Sequence, residues 1–172
     1  NPTLAVAISE NISVAAGLRF VYSEATAKGD GDGLPASDPY SKISRNMEGD
    51  SIDTGYNLAL SYRPLDWLSF AATYRSKVNL SLEGEASVEI DTYHADTAGS
   101  VESMLPAALS LAAAYHFDND TTLEFVYERT FWSANKSLDF EYEDAFVESV
   151  LGTPIEKNWN DTSTYRLGLT KQ

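Results

Sequence analysis

Residues 107–117 read Ala-Ala-Leu-Ser-Leu-Ala-Ala-Ala-Tyr-His-Phe. Ala107, Leu109, Leu111, Ala113, Tyr115 and Phe117 share one parity, and Ala108, Ser110, Ala112, Ala114 and His116 share the other. A side-chain period of two sustained this long is a strand signal, with an apolar face opposite a small or polar one. Asp118-Asn119-Asp120 follows as a tight turn built from turn-forming residues. Leu123, Phe125, Tyr127 and Phe131 then resume the alternation, interrupted on their face only by Arg129.

The same pattern recurs outward in both directions. In 12–22, Ile12, Val14, Ala16, Leu18, Phe20 and Tyr22 share a face. In 56–63, Tyr56, Leu58, Leu60 and Tyr62 do so. In 68–82, read as one strand, Leu68, Phe70, Ala72, Tyr74, Val78, Leu80 and Leu82 share a face with Ser76. Tyr165, Leu167 and Leu169 close the chain in the same way, and Leu4, Val6 and Ile8 open it more loosely. Short turns at 9–11, 64–66 and 118–120 alternate without exception with long connections at 29–53, 83–104 and 139–161.

Charge follows that division. The three long stretches hold 19 of the 26 acids and three of the 12 bases, a net of −16, whereas the remaining residues net +2. Charge runs of this kind are expected as solvated loops. Asp30-Gly31-Asp32-Gly33 hints at a calcium loop but lacks the spacing and closing Glu of an EF-hand, so no metal site is expected. The absence of cysteine removes disulfides and zinc–thiolate sites. No apolar run is long enough for a membrane-spanning helix, and a net charge of −14 argues against a nucleic-acid partner.

Long strands, apolar on one face and joined alternately by short turns and long loops, describe an all-β, antiparallel up-and-down transmembrane β-barrel. Trp67, Tyr115 and Phe117 lie near the short turns and Tyr22, Tyr56 and Trp132 near the long connections, where interfacial aromatic girdles belong. Seven strands are expected. An odd number does not close as a meander, and an open edge in lipid leaves backbone groups unpaired. The chain is therefore expected to be one partial barrel domain, 1–172, a piece of a longer protein localised to the cell outer membrane, with the three acidic loops outside the cell.

Asn1-Pro2 opening a hairpin, Val14-Ala15-Ala16-Gly17-Leu18 after a short turn, and Tyr74-Arg75-Ser76-Lys77-Val78 followed by Leu82-Glu83-Gly84 resemble the long-chain fatty-acid transport porins of the outer membrane, the FadL-like family. Pro106-Ala107 with Leu109-Ser110-Leu111-Ala112, and Trp132-Ser133, fit the same pattern. The resemblance implies a monomeric barrel of about 14 strands, plugged by an N-terminal hatch, of which this chain covers about half. It also implies passive uptake of hydrophobic molecules such as long-chain fatty acids or aromatic hydrocarbons, without a cofactor and without catalysis.

The inward faces hold Arg19, Arg63, Arg75, Lys77 and Arg166. Arg75 and Lys77, two apart, are expected to project together into the lumen, where with Arg19 they suit a ligand carboxylate; luminal acids such as Glu124 and Glu128 are the alternative partners. Outer-membrane lipid and lipopolysaccharide are the other expected partners. The only histidines, His94 and His116, lie on different segments, and no hydrolase or metalloprotease motif is present. Competing readings are an adhesion protein that presents acidic loops on a barrel platform and, more remotely, an outer-membrane lipase with a Ser–His pair.

Overall fold

The computed structural model describes residues 1–34 and 38–171, and side chains outside 31–41. The strands are β1 (Thr3–Ser9), β2 (Ile12–Leu34), β3 (Asp38–Leu65), β4 (Leu68–Arg75), β5 (Val78–Ile90), β6 (Tyr93–Leu105), β7 (Ala108–His116), β8 (Thr121–Thr130), β9 (Ser137–Tyr142), β10 (Ile155–Glu156) and β11 (Thr162–Lys171). A 3-10 turn, Trp132–Ala134, follows β8, and one short helix, α1 (Ala145–Leu151), lies between β9 and β10. All strand pairs are antiparallel.

The lower body is a meander in the spatial order β1-β2-β3-β4-β7-β8-β11, seven strands open at both edges. Its register lines the alternating faces up across the sheet. Val6, Val14, Leu60, Ala72, Leu111, Tyr127 and Tyr165 form one continuous row on the outer face. The adjacent inner row runs Ala5, Ala15, Ala59, Thr73, Ser110, Glu128 and Thr164. The outer face is exposed although apolar: Leu18 is 57%, Phe70 41%, Leu111 43% and Leu167 75% accessible. A large exposed apolar face on a regular sheet fits lipid as its solvent, with polar groups confined to the other side. Trp67, Tyr115 and Phe117 pack in sequence at the short-turn end as tilted pairs, with centroids 5.2 and 4.6 Å apart. Trp132 and Trp159 meet edge to face at the opposite end, 5.2 Å apart.

Above this band the acidic stretches do not behave as solvated loops. β2 and β3 continue as one long hairpin, β5 and β6 form a second, and β9 with β10 extends the sheet. We call this ordered upper part the crown. The expectation of loops at 83–104 fails because Ala86, Val88 and Ile90 alternate with Glu85, Ser87 and Glu89; charge on one face hides an apolar face. Those residues join Met47, Ala95, Phe140, Tyr142 and Val147 of α1 in a buried cluster, the one such core among the described residues. The stretch 139–161 contributes β9, α1 and β10 rather than a loop. Residues 35–37, within the 29–53 stretch, lie outside the described residues, as do the side chains of Asp32 and its neighbours in the suggested calcium motif.

The single strand expected over 68–82 is also corrected. β4 ends at Arg75 and pairs with 57–65 of β3, whereas β5 starts at Val78 and pairs with 43–50 of the same strand. Ser76 makes the break. Its N–H donates to Tyr56 O at 2.9 Å, while the Tyr56 N–H donates to Ser76 Oγ at 2.8 Å. The hydroxyl thus takes the ladder position of the Ser76 carbonyl, a local side-chain bond competing with sheet pairing. Parity is lost across Ser76 and Lys77.

Candidate functional site in the lumen and crown

The break at Ser76 shapes the first candidate recess, on the inner face of the sheet. Its displaced carbonyl accepts from Arg19 Nη1 at 3.2 Å, fixing that guanidinium against the wall. Arg19 and Arg75 line one recess of about 290 Å3 with Thr73, Ser110, Glu128 and Leu105. Gly17 makes room here: a Cβ would stand 2.9 Å from the amide of Asn57 and would strike the Thr3 hydroxyl. Glu128 is engaged by Arg166 at 3.5 Å, and among the described residues neither Arg19 nor Arg75 forms an ion pair. Two guanidinium groups with one shared, already partnered carboxylate leave a recess with net positive charge in an otherwise acidic protein.

Lys77 does not join them. Beyond the break it lines recesses on the other face of the wall, with Tyr56, Tyr74 and Phe131. Arg63 stays at the short-turn end, its N–H donating to Asn11 O at 2.8 Å. Arg166 is spent on Glu128.

A second recess lies in the crown. It encloses about 340 Å3, with Ala27, Met47, Leu80, Leu82, Val101 and Phe140 in its lining and Glu24 at its edge. One face of the β5–β6 hairpin runs between the two recesses. Val78 pairs with Leu105, Leu80 with Ser103 and Leu82 with Val101, so these side chains form a strip. Leu105 ends it in the luminal recess; Leu80, Leu82 and Val101 carry it into the crown. The sequence pattern held this strip, but reading 68–82 as one membrane strand assigned Leu80 and Leu82 to the lipid.

The crown is tied together by polar contacts at its edges. Arg45 lies over the Phe140 ring at 4.4 Å and its Nη1 donates to Tyr142 Oη at 3.3 Å. Asp144 caps α1, accepting from the N–H groups of Phe146 and Val147, and its other oxygen accepts from Tyr93 Oη at 2.9 Å. The Val147 N–H, with help from the Tyr93 hydroxyl, holds the Asp144 carboxyl below the usual carboxylate range. The same hydrogen bond to Asp144 pushes the Tyr93 phenol up. Asp161, preceding β11, accepts from Ser133 N and Arg129 Nη2, each at 3.0 Å; the Ser133 contacts lead in holding its carboxyl low.

A Ser–His pair does form. Ser69 Oγ and His116 Nε2 are 3.1 Å apart, and His116 Nδ1 is 3.0 Å from Thr122 Oγ1. A hydroxyl stands where a catalytic carboxylate would orient and charge-stabilise the imidazole, so the trio lacks the group that drives hydrolysis. His94 is exposed between Glu89 and Asp96. Among the described residues no cluster is arranged to hold a metal ion.

The family model described as outer membrane protein transport protein (OMPP1/FadL/TodX) matches residues 1–172. The chain belongs to this family. Its members form outer-membrane transport barrels and are not enzymes. A Pseudomonas aeruginosa FadL homologue is similar in fold, with a TM-score of 0.82 at 16% identity, over 97% of this chain and 44% of that one. The CymD monoaromatic hydrocarbon channel gives 0.72 at 19% identity, over 97% and 53%. The Pseudomonas putida toluene transporter TodX gives 0.67 at 16% identity, over 97% and 49%. The chain thus spans about half the length of these solved structures. No curated protein matches it.

Proposed function

We propose that this chain is part of the wall and crown of an outer-membrane channel for passive uptake of hydrophobic molecules. The observation that carries this reading is the continuous strip from the crown recess to the Arg19–Arg75 recess. An apolar tail is accommodated along Leu82, Leu80 and Leu105. A carboxylate, where the substrate has one, meets Arg19 and Arg75 in bidentate, charge-assisted contacts. Long-chain fatty acids fit both features, and aromatic hydrocarbons fit the strip alone. The relatives whose names specify monoaromatic hydrocarbons or toluene support the second class. Short turns face the periplasm and the crown faces the outside in barrels of this kind. The surrounding partners are outer-membrane lipid and lipopolysaccharide, and the complete barrel acts as a monomer.

Uptake of labelled oleate and of toluene into liposomes carrying the full-length protein tests the reading. The double variant Arg19→Gln, Arg75→Gln is expected to slow oleate about tenfold or more while toluene changes little, since only the acid uses the guanidinium groups. Leu82→Glu is expected to slow both. Passage of neither substrate through the wild-type protein would overturn the proposal. An epitope inserted at the 91–92 turn of β5–β6 and detected on intact cells checks the orientation of the crown.

A further inference from the structure

We infer that the outer wall, where the barrel meets the crown, carries a specific site for a phosphorylated glycolipid of the outer leaflet. The site is two adjoining recesses that share Lys77 and Ala134. The lower one, about 540 Å3, lies on the lipid-facing side between Tyr56, Tyr74, Ala107 and Phe131. It opens where β4 ends and β5 turns away. Its shape and chemistry suit an acyl chain.

The upper recess, about 330 Å3, is polar and looks away from the crown's core. Asn79 and Ser81 face Met104 and Glu102 across β5–β6, and Glu102 faces Asp139 of β9. Lys77 and Lys136 line the same recess. Two of its acceptors are buried and lack a partner among the described residues: Asn135 Oδ1 and Asp139 Oδ1. Asn135 is 4% exposed and commits its amide Nδ2 to Met104 O at 2.7 Å; Asp139 commits its other oxygen to Ser137 Oγ at 2.9 Å. A buried acceptor without a donor is costly and calls for one.

The pattern of charges selects the ligand. Simple phosphate is disfavoured by Glu102 and Asp139. A sugar head supplies hydroxyl donors to Asn135, Asp139 and Glu102, and its phosphate meets Lys77 and Lys136. Lys157 stands beside them: its N–H donates to Lys136 O at 2.6 Å, and its ammonium lies 4.8 Å over the Trp159 ring. Trp159 in turn packs against Trp132 edge to face. Two of the twelve bases of a strongly acidic chain thus line this one recess, and Lys157 adjoins Lys136 through the backbone. An apolar groove below, and above it a recess that offers both hydroxyl acceptors and two lysines, is the order in which a glycolipid presents its chains and head. The placement in the outer leaflet rests on the crown facing outwards; the ligand chemistry does not rest on the uptake reading.

Native mass spectrometry of the full-length protein in mild detergent, titrated with lipid A, phosphatidylglycerol or inorganic phosphate, tests the site. Lipid A is expected to be retained at one or more defined copies and to outlast phosphatidylglycerol, with inorganic phosphate failing to displace it. Lys77→Gln with Lys136→Gln is expected to weaken lipid A retention about tenfold, and Ala134→Phe, which fills the shared edge without changing charge, to weaken it as well. Lys28→Gln, exposed in the crown, is the control expected to change nothing. Heat-modifiable migration verifies folding of each variant, and Ala134→Phe decides the matter if the double variant does not fold. Equal retention of lipid A and phosphatidylglycerol, displacement by inorganic phosphate, or unchanged retention in the folded variants would each overturn the inference. Oleate uptake that fails while lipid A retention holds would sink the transport reading alone.

Discussion

At the residue scale, Ser76 decides more than any charged group. By lending its hydroxyl to the β3 ladder it frees a carbonyl for Arg19 and turns Lys77 away from Arg75. Nothing in Tyr74-Arg75-Ser76-Lys77 announces this, because a serine on an apolar face reads as a tolerated exception. Ser76→Val is expected to let β4 run into β5 and to loosen Arg19, seen as reduced oleate uptake with toluene uptake retained. In the crown, Met47 is 2% exposed within the buried cluster. Met47→Ala is expected to destabilise the crown by about 2–5 kcal/mol, the usual range for such a truncation. Hydrogen exchange of β5 and β9 amides would register it while the barrel strands stay protected. Gly84 has its own constraint: a Cβ there would collide with the Glu48 carbonyl of β3. Gly84→Ala is therefore expected to part β5 from β3 at that point.

At the scale of elements, the pairs hold different balances of forces. The barrel strands place apolar groups on their exposed face and leave stability to ladders and lipid. The crown hairpins bury one face against each other and α1. That helix has only seven residues and needs external help, as short helices do. Asp144 supplies it from both sides. Because its folded carboxyl is held low, its stabilising contribution is present above the unfolded value near about 3.9 and is lost as pH falls through the folded value. The Tyr93 phenol is raised, so its contribution is present below its unfolded value near about 10 and is lost as pH rises through the folded one. Protection of amides 145–151, corrected for intrinsic exchange, is expected to fall at both extremes. Asp144→Asn keeps a competent helix cap but should remove most of the acid-side dependence.

At the scale of the whole molecule, adjacent residues of one strand answer to different solvents. Leu111 and Ser110 of β7 stand on opposite faces, in the rows that run across all seven barrel strands. Leu111→Lys is expected to cost about 2–4 kcal/mol if it lies near the bilayer midplane, whereas Ser110→Lys should cost far less. Folding titrations of the full-length protein into lipid vesicles measure both. The barrel itself was legible in the chain because period-two alternation, turn residues and loop asymmetry are local signals, and lipid on one side imposes no further partner. Leu109, Leu111 and Tyr115 needed only their parity to be placed. The crown was not legible in the same way. Its residues alternate too, but whether Val88 or Phe140 faces water or another strand depends on β3, β5, β6 and α1 meeting, and those pairings join segments as much as 100 residues apart. The acid on the opposite faces concealed the core, since charge marks solvent without saying what lies behind it. Arg19 and Arg75 were in view as cations of the inner face, and the β2–β3–β4 register brings them together, yet their parting from Lys77 required the break at Ser76. Local periodicity therefore sets which face a side chain takes within a strand; long-range pairing sets what that face meets, because contact between distant segments is not encoded in any one of them.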